Sequence, residues 1–262
     1  MVHDREWLNR FSGEDRTLAA HIYDKMLWCQ NHNAPANTMF LTPHEGAVAR
    51  QVVSFGGYPL HKITGGWEGA ERCVLIFLPD YISPEALTEV DLPFGAVRVA
   101  WGQNRLTHRD VLGSLMATGI RREVLGDLLV GENGCDVLVM KECIPFLRDS
   151  WLAAGRIGLR PQEICLSELQ IPQENAQQVR DTVASLRLDA VLGSGFSLSR
   201  GKASAYIEAG RVLLNGCECT KCDRQLSEGD TISVRGLGRL VLREAGSLSK
   251  KGRIFISLDR FH

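Results

Sequence analysis

Three sets of side chains in this 262-residue chain have types and spacings that could do chemistry. The first is Arg200 and Lys202, which follow Ser199 in LSRGKASAYIEAGRVLLNG, Leu198 to Gly216. Ser199 is a good helix N-cap, because its hydroxyl can accept from an orphan N–H of the first turn. A stability-driven sequence puts Glu or Gln three residues later. Here Lys202 takes that place, with Arg200 also in the first turn. Cations there oppose the helix macrodipole, at roughly 0.3–1 kcal/mol each. A local rule broken without local gain points to function, and free N–H groups beside two cations suit a phosphate. Long side chains reaching into water from a frayed helix end would leave the same pattern.

The second set is Cys217, Cys219 and Cys222, a C-x-C-x2-C run. Structural zinc takes four ligands, no fourth Cys or His lies near in sequence, and alternate strand residues face opposite ways. No metal is expected. The third is His108-Arg109-Asp110, which has the form of the kinase catalytic triplet. Leu115 and Met116 stand where its Asn belongs, no DFG follows and no glycine-rich loop precedes it, so kinase chemistry is rejected. Thr107 and Asp110 then read as helix caps, with His108 and Arg109 facing solvent or RNA. There is no G-x-S-x-G, H-E-x-x-H, Walker A or G-x-G-x-x-G after a strand. No catalytic residue and no cofactor is expected.

The loop TGGWEGAER, Thr64 to Arg72, could present Trp67 as a stacking ring and Arg72 as a cation. A hairpin tip whose Trp packs back on its sheet fits equally. With His108, Arg109, Arg121 and Arg122, these two residues make a candidate second RNA surface.

Bulk properties fit a folded protein, with 44% hydrophobic and 23% charged residues. No run of 18 apolar residues predicts a membrane span. The N-terminus MVHDREWLNRF has no apolar signal core, so secretion is not expected and the eight Cys should be reduced thiols. Net charge is −1, but residues 181–262 carry 13 Lys and Arg against 9 Asp and Glu. That segment holds Arg187, Arg200, Lys202, Arg211, Lys221, Arg235, Arg239, Lys250, Lys251 and Arg253. They fall at a helix start, a strand start and turns, from which small modules reach backbone phosphates.

The elements that must position these groups read as follows. A helix is predicted from residue 3 to about 31, a loop to 37 and a strand at Met39 to Leu41. Thr42, Pro43 and Glu45 start a helix that Gly56-Gly57 ends. Strands follow at Leu60 to Ile63 and Cys73 to Leu78. Next come a strand at 96–101, a helix at 107–118, strands at 125–130 and 135–140, a helix at 142–154 and a strand within 159–169. That order is β-α-β-β-α-β, the ferredoxin-like arrangement that RRM modules share. RNA-binding RRM sheets carry aromatics on their central strands; CDVLVM has none, which argues against binding through that face. IPQENA, 171–176, is a linker. A helix is predicted over 177–192, with Val179, Val183, Leu186, Ala190 and Val191 inward. Then come a helix at 200–209, Gly210 as its left-handed C′ residue, and a strand at 212–214. Asn215-Gly216 makes a type I′ turn, and short strands follow at 218–220, 231–235, 239–244 and 254–258. This C-terminal unit looks too small to bury much core alone.

RLDAVL, LSRGKASAYIEAGRVLLNG and EGDTISVRGLGRLVL together closely resemble the S4 RNA-binding domain, over roughly residues 182–243. The matching spacing runs through Ser199-Arg200, Lys202-Ala203, Ile207, Gly210-Arg211-Val212, Asn215-Gly216 and Gly229-Asp230. TMFLTPHE, GGWEGAER, HRDVLGSLMATGIRREVLGDLLV and SKKGRIFI resemble the YlmH family of S4-domain proteins, nearly end to end. The resemblance implies an α+β chain with an N-terminal α/β region (1–80), a central RRM-like domain (81–172) and an S4 domain (181–262) of two helices plus a small bent sheet. It implies a cytoplasmic, non-enzymatic protein that binds rRNA and tRNA on the large ribosomal subunit carrying peptidyl-tRNA. There it would support quality control of stalled nascent chains, with a nascent-chain tailing factor as candidate partner. No membrane role is implied, and a monomer is expected. RNA contacts carry over to Ser199, Arg200, Lys202, Arg211, Asn215 and Gly216, with Arg187 and Lys221 beside them. The cysteines at 217–222 depart from the family pattern. S4 modules also occur on pseudouridine synthases and rRNA methyltransferases. The chain lacks a glycine-rich cofactor loop, and its RLD lies within the S4 helix instead of an enzyme domain.

Overall fold

The computed structural model describes residues 6–172, 177–248 and 252–261. The chain divides into two units, Met1–Pro172 and Gln173–His262.

The first unit begins with a 3-10 turn, Glu6–Arg10, followed by α1 (Gly13–His32). The single helix expected from residue 3 is therefore broken, and residues 3–5 lie outside the described residues. The break lets Trp7 stack on Phe55 at 5.2 Å and meet Tyr23 edge-on at 5.1 Å. β1 (Ala36–Asn37) pairs with β3 (Val74–Phe77), which pairs with β2 (His61–Thr64). The strand expected at 39–41 thus lies earlier, and Leu41 keeps only a single bridge to Cys73. Between β1 and β2 runs α2 (Pro43–Phe55), which starts at the expected Thr42 cap and is held there by a Thr42–Glu45 capping box.

β3 is buried along its whole length. Leu75 and Phe77 join the core of α1 and α2, while Val74 and Ile76 join a second core beneath the next sheet. A period of two divides one strand between two cores.

That next sheet contains β4 (Phe94–Ala100), β5 (Leu125–Val130), β6 (Gly134–Met140) and β9 (Gln162–Ile164), all antiparallel in the order β5-β6-β4-β9. α3 (His108–Ala117) links β4 to β5 and starts with the expected Thr107–Asp110 capping box. α4 (Ile144–Ser150) is shorter than the helix expected to 154. Trp151 leaves the helical conformation at ψ 69°. Its fully buried indole donates Nε1–H to Ser114 Oγ at 2.9 Å. A hairpin of β7 (Ala153–Ala154) and β8 (Ile157–Gly158) takes the place of the last helical turn.

α4 covers one face of this sheet, where Ile144 abuts Gly95. The other face carries Phe94, Ala96 and Arg98, by alternation. Phe40 packs on Phe94 at 5.1 Å, and Gly66 sits against Phe94 and Leu138. A Cβ at Gly126 would lie 2.6 Å from the Phe40 ring, so glycine is what admits that ring. Both faces of the central sheet are therefore covered within this unit.

The second unit starts with β10 (Gln177–Val183), where a helix was expected. Val179 and Val183 are four apart; four is even, so the pair shares a face in a strand as well as in a helix. β10 pairs with β15 (Ile254–Phe261) through all its residues. α5 (Leu188–Gly195) and α6 (Arg200–Glu208) follow. β11 (Val212–Leu214), β12 (Cys217–Glu218), β13 (Thr231–Val234) and β14 (Gly238–Leu248) complete an antiparallel sheet, ordered β10-β15-β14-β13-β11-β12. The unit has its own core, against expectation: Leu188, Val191, Leu192, Ala203, Ile207, Val212, Ile232, Leu240, Leu242 and Leu258 are fully buried. The long β14–β15 pair and β10 supply the extra area. Among the described residues no helix is long and apolar enough to cross a membrane.

Candidate nucleic-acid interface

The cationic site is built on α6. Ser199 Oγ accepts from Lys202 N–H at 3.4 Å, the expected cap. At the other end Gly210 N–H donates to Ile207 O and Arg211 N–H to Tyr206 O, with Gly210 at φ 67°. That is a Schellman closure, and it fixes where Arg211 leaves the helix. Arg211 lies over the Tyr206 ring at 5.9 Å. Arg235 N–H donates to Arg211 O, so those two exposed arginines are chain neighbours across β11 and β13.

Asp189 organises the other half. It is 2% exposed, at the start of α5. Arg187 approaches both its oxygens, Nε to Oδ1 and Nη2 to Oδ2, each at 3.1 Å. Arg200 Nε donates to the same Oδ2 at 3.1 Å. Burial alone would raise the Asp189 pKa; the hydrogen bonds and charges of Arg187 and Arg200 reverse this and hold it below the ordinary value. Hydrogen bonding to Asp189 in turn raises Arg187. One buried carboxylate therefore fixes two guanidinium groups whose outer N–H donors remain available to an anion. It also corrects the expectation for α6: Arg200 at the helix start has a local partner, while Lys202 has no ion-pair partner among the described residues.

The segment after β12 closes on the same place. Leu188 N–H donates to Arg224 O, Asp189 N–H to Cys222 O, and Leu226 N–H to Leu186 O. The first N–H groups of α5 are thus satisfied by this loop. Cys222 Sγ lies 3.9 Å from Ser204 O and 3.7 Å from Glu208 Oε1. All eight cysteines are free thiols, and no group of three or more Cys, His, Asp or Glu among the described residues is arranged for a metal. Cys219 and Cys222 help pack the loop against the core. Lys221 stands exposed on it.

Two profiles match the sequence, "Putative RNA-binding domain in YlmH" over residues 96–168 and "S4 domain" over residues 186–232. The chain is 32% identical over 225 residues to the "Ribosome-associated protein quality control protein P2" of Bacillus subtilis (strain 168), covering 85% of this chain and 86% of that protein. The chain belongs to the YlmH-like family of S4-domain proteins. The solved "Cell division protein ylmH from Streptococcus pneumoniae" shares its fold, with TM-score 0.52 and 24% identity over 62% of this chain and 96% of that one.

Within this YlmH-like chain the remaining expected contacts separate. Asn215 and Gly216 form the I′ turn at φ 51° and 82°. The Asn215 amide is bonded within the fold, donating to Asp230 Oδ1 at 2.7 Å and accepting from Thr231 N–H at 2.9 Å. Arg239 lies over the Phe261 ring at 4.6 Å, and Arg253 Nε donates to Thr182 Oγ1 at 3.0 Å. Lys250 and Lys251 lie outside the described residues.

The second surface expected in the first unit is not assembled. Arg72 is 9% exposed and donates to Leu125 O and Phe40 O, both at 2.9 Å. Desolvation lowers its pKa. Trp67 is half-buried, with Nε1–H on Asp127 Oδ2 at 3.1 Å, and Asp127 also accepts from Glu71 N–H and Arg72 N–H. Arg122 donates to Leu125 O at 2.8 Å. The loop is thus tied inward by Asp127, and the Arg72 guanidinium is bonded to backbone carbonyls. His108 and Arg109 are exposed, and Arg121 pairs with Glu123 at 2.9 Å. Asp127 and Asp189 were both missed in the sequence, because the partners of Asp127, and Arg200 as the second partner of Asp189, lie on other elements.

Proposed function

We propose that this chain is a non-enzymatic RNA-binding protein that grips rRNA and tRNA on the large ribosomal subunit carrying peptidyl-tRNA. It would serve quality control of stalled nascent chains in the cytoplasm, as a monomer, with a nascent-chain tailing factor as candidate partner. The observation that carries this reading is the pair of guanidinium groups set by buried Asp189 beside Lys202, which has no ion-pair partner among the described residues, inside the S4 match. The name of the Bacillus subtilis relative supports the ribosomal setting.

We also read the central sheet as an RRM-like, ferredoxin-like βαββαβ unit, divided from the N-terminal α/β region near residue 80. Its strand order and its two helical crossovers support that reading, and the two cores that share β3 support the division. The RNA-modifying alternative needs a deep pocket with convergent polar groups in residues 1–170. One polar concavity there, about 300 Å³, has Arg98 and Asp136 bonded to each other at 2.6 and 2.7 Å.

Cosedimentation tests the function. The protein should pellet with large subunits carrying peptidyl-tRNA in preference to empty ones, and Arg200→Ala with Lys202→Ala should abolish the preference. Equal recovery with both subunit forms would overturn the reading.

A further inference from the structure

α1 has an apolar buried face and, opposite it, a wall that the S4 reading does not use. His21, Asp24, Lys25 and Trp28 are spaced i, i+3, i+4, i+7, so they share one helix face. With Pro35, Ala36 and Asn37 they line a concavity of about 460 Å³, within the range of small-ligand sites. Trp28 is 45% exposed, whereas Trp101 and Trp151 are buried and Trp7 and Trp67 are half-buried. Its indole is stacked on the His32 imidazole, centroids 4.5 Å apart and planes 17° from parallel. His32 is itself fixed, with Nδ1–H donating to Trp28 O at 2.9 Å. The result is a pre-stacked aromatic pair on which a further ring can stack. Across the concavity β1 is an edge strand, pairing only with β3, and such edges offer backbone donors and acceptors.

We propose that this concavity is a stacking site for one unpaired nucleotide of RNA, a second contact in the first unit separate from the central sheet. It rests on the RNA-binding reading above. Flat bases stack on exposed rings in single-stranded recognition. Lys25, one turn before Trp28, and His21 complete the wall beside the ring. Asp24 shares the wall, so the site carries little net charge. Its affinity comes from stacking, and its occupation changes the salt dependence little. This contrasts with the S4 arginines, whose proposed contacts are to phosphates.

Fluorescence separates the two sites, since Trp28 is the most exposed indole. Titrating the full chain with a short single-stranded oligoadenylate should quench emission saturably, while a duplex of the same length should not. Trp28→Leu should abolish the quench and weaken binding of the single strand by about five- to hundredfold, with the salt slope unchanged. Trp28→Phe should retain most of the affinity, because a ring remains. The Arg200→Ala, Lys202→Ala double variant should keep the Trp28 quench, so failure of the S4 assignment would not imitate failure here. A quench that survives Trp28→Leu would overturn the proposal. So would equal quenching by the duplex, or quenching by an unstructured peptide and not by the oligonucleotide.

Discussion

Asp189 sets the positive site, and its protonation gives a test at the scale of one residue. Its folded pKa is depressed, so its contribution to stability is fully present above the unfolded value and is lost as pH falls through the folded one. Asp189→Asn keeps the shape and removes the charge. The variant should be less stable by about 1–2 kcal/mol at neutral pH, discounted because both guanidinium groups remain partly in water. In acid, below the depressed pKa, the parent carboxyl is protonated as well and the difference should vanish. Denaturant titrations at pH 7 and in strong acid measure this; a loss that persists unchanged in acid would mean that packing, not charge, is at stake. Neither partner choice was readable beforehand. RLD is visible as a triplet, but Arg200 lies eleven residues beyond Asp189 on another helix, and nothing local says that α5 and α6 bring them within 3.1 Å.

At the scale of elements, what could be read was what is set locally. The caps of α2, α3 and α6 and the Asn215-Gly216 turn depend on neighbours in sequence, and they stand where expected. β10 did not, because its valines have an even spacing that fits either element and the choice is made by β15, more than seventy residues later. The strand completes the fold: Val183 is buried, and Asp181 Oδ2 accepts from Ser194 Oγ on α5 at 2.6 Å. A fragment of residues 173–262 should therefore melt cooperatively as a monomer. One beginning at 184 loses the burial of Val183, about 1.5–3 kcal/mol, and bares the β15 edge to other chains. It should melt lower and elute larger on size exclusion. Identical melting and elution would show that β10 is not needed.

The whole molecule divides its charge as it divides its chain: residues 181–262 carry the positive excess, and the rest carries 17 Lys and Arg against 22 Asp and Glu. The first unit is thus a poor source of phosphate contacts. On its central sheet, Phe40 and the Gly65–Arg72 loop pack on Phe94 and Leu138, on the face that an RRM would offer. That covering was illegible in the sequence, which placed Trp67 and Arg72 in a loop without showing that Asp127 turns them inward. Two physically different contributions are left, ion pairing in the second unit and stacking at Trp28 in the first. They predict different salt behaviour. The log of the affinity should fall with log salt at the same slope for the full chain and for residues 173–262, since the slope counts phosphate contacts and those proposed above lie in the second unit. On RNA containing an unpaired stretch, the full chain should nevertheless bind more tightly at every salt concentration. On duplex RNA the two should coincide. Filter binding across a salt series decides it: a steeper slope for the full chain would place phosphate contacts in the first unit, against the charge distribution and the buried Arg72.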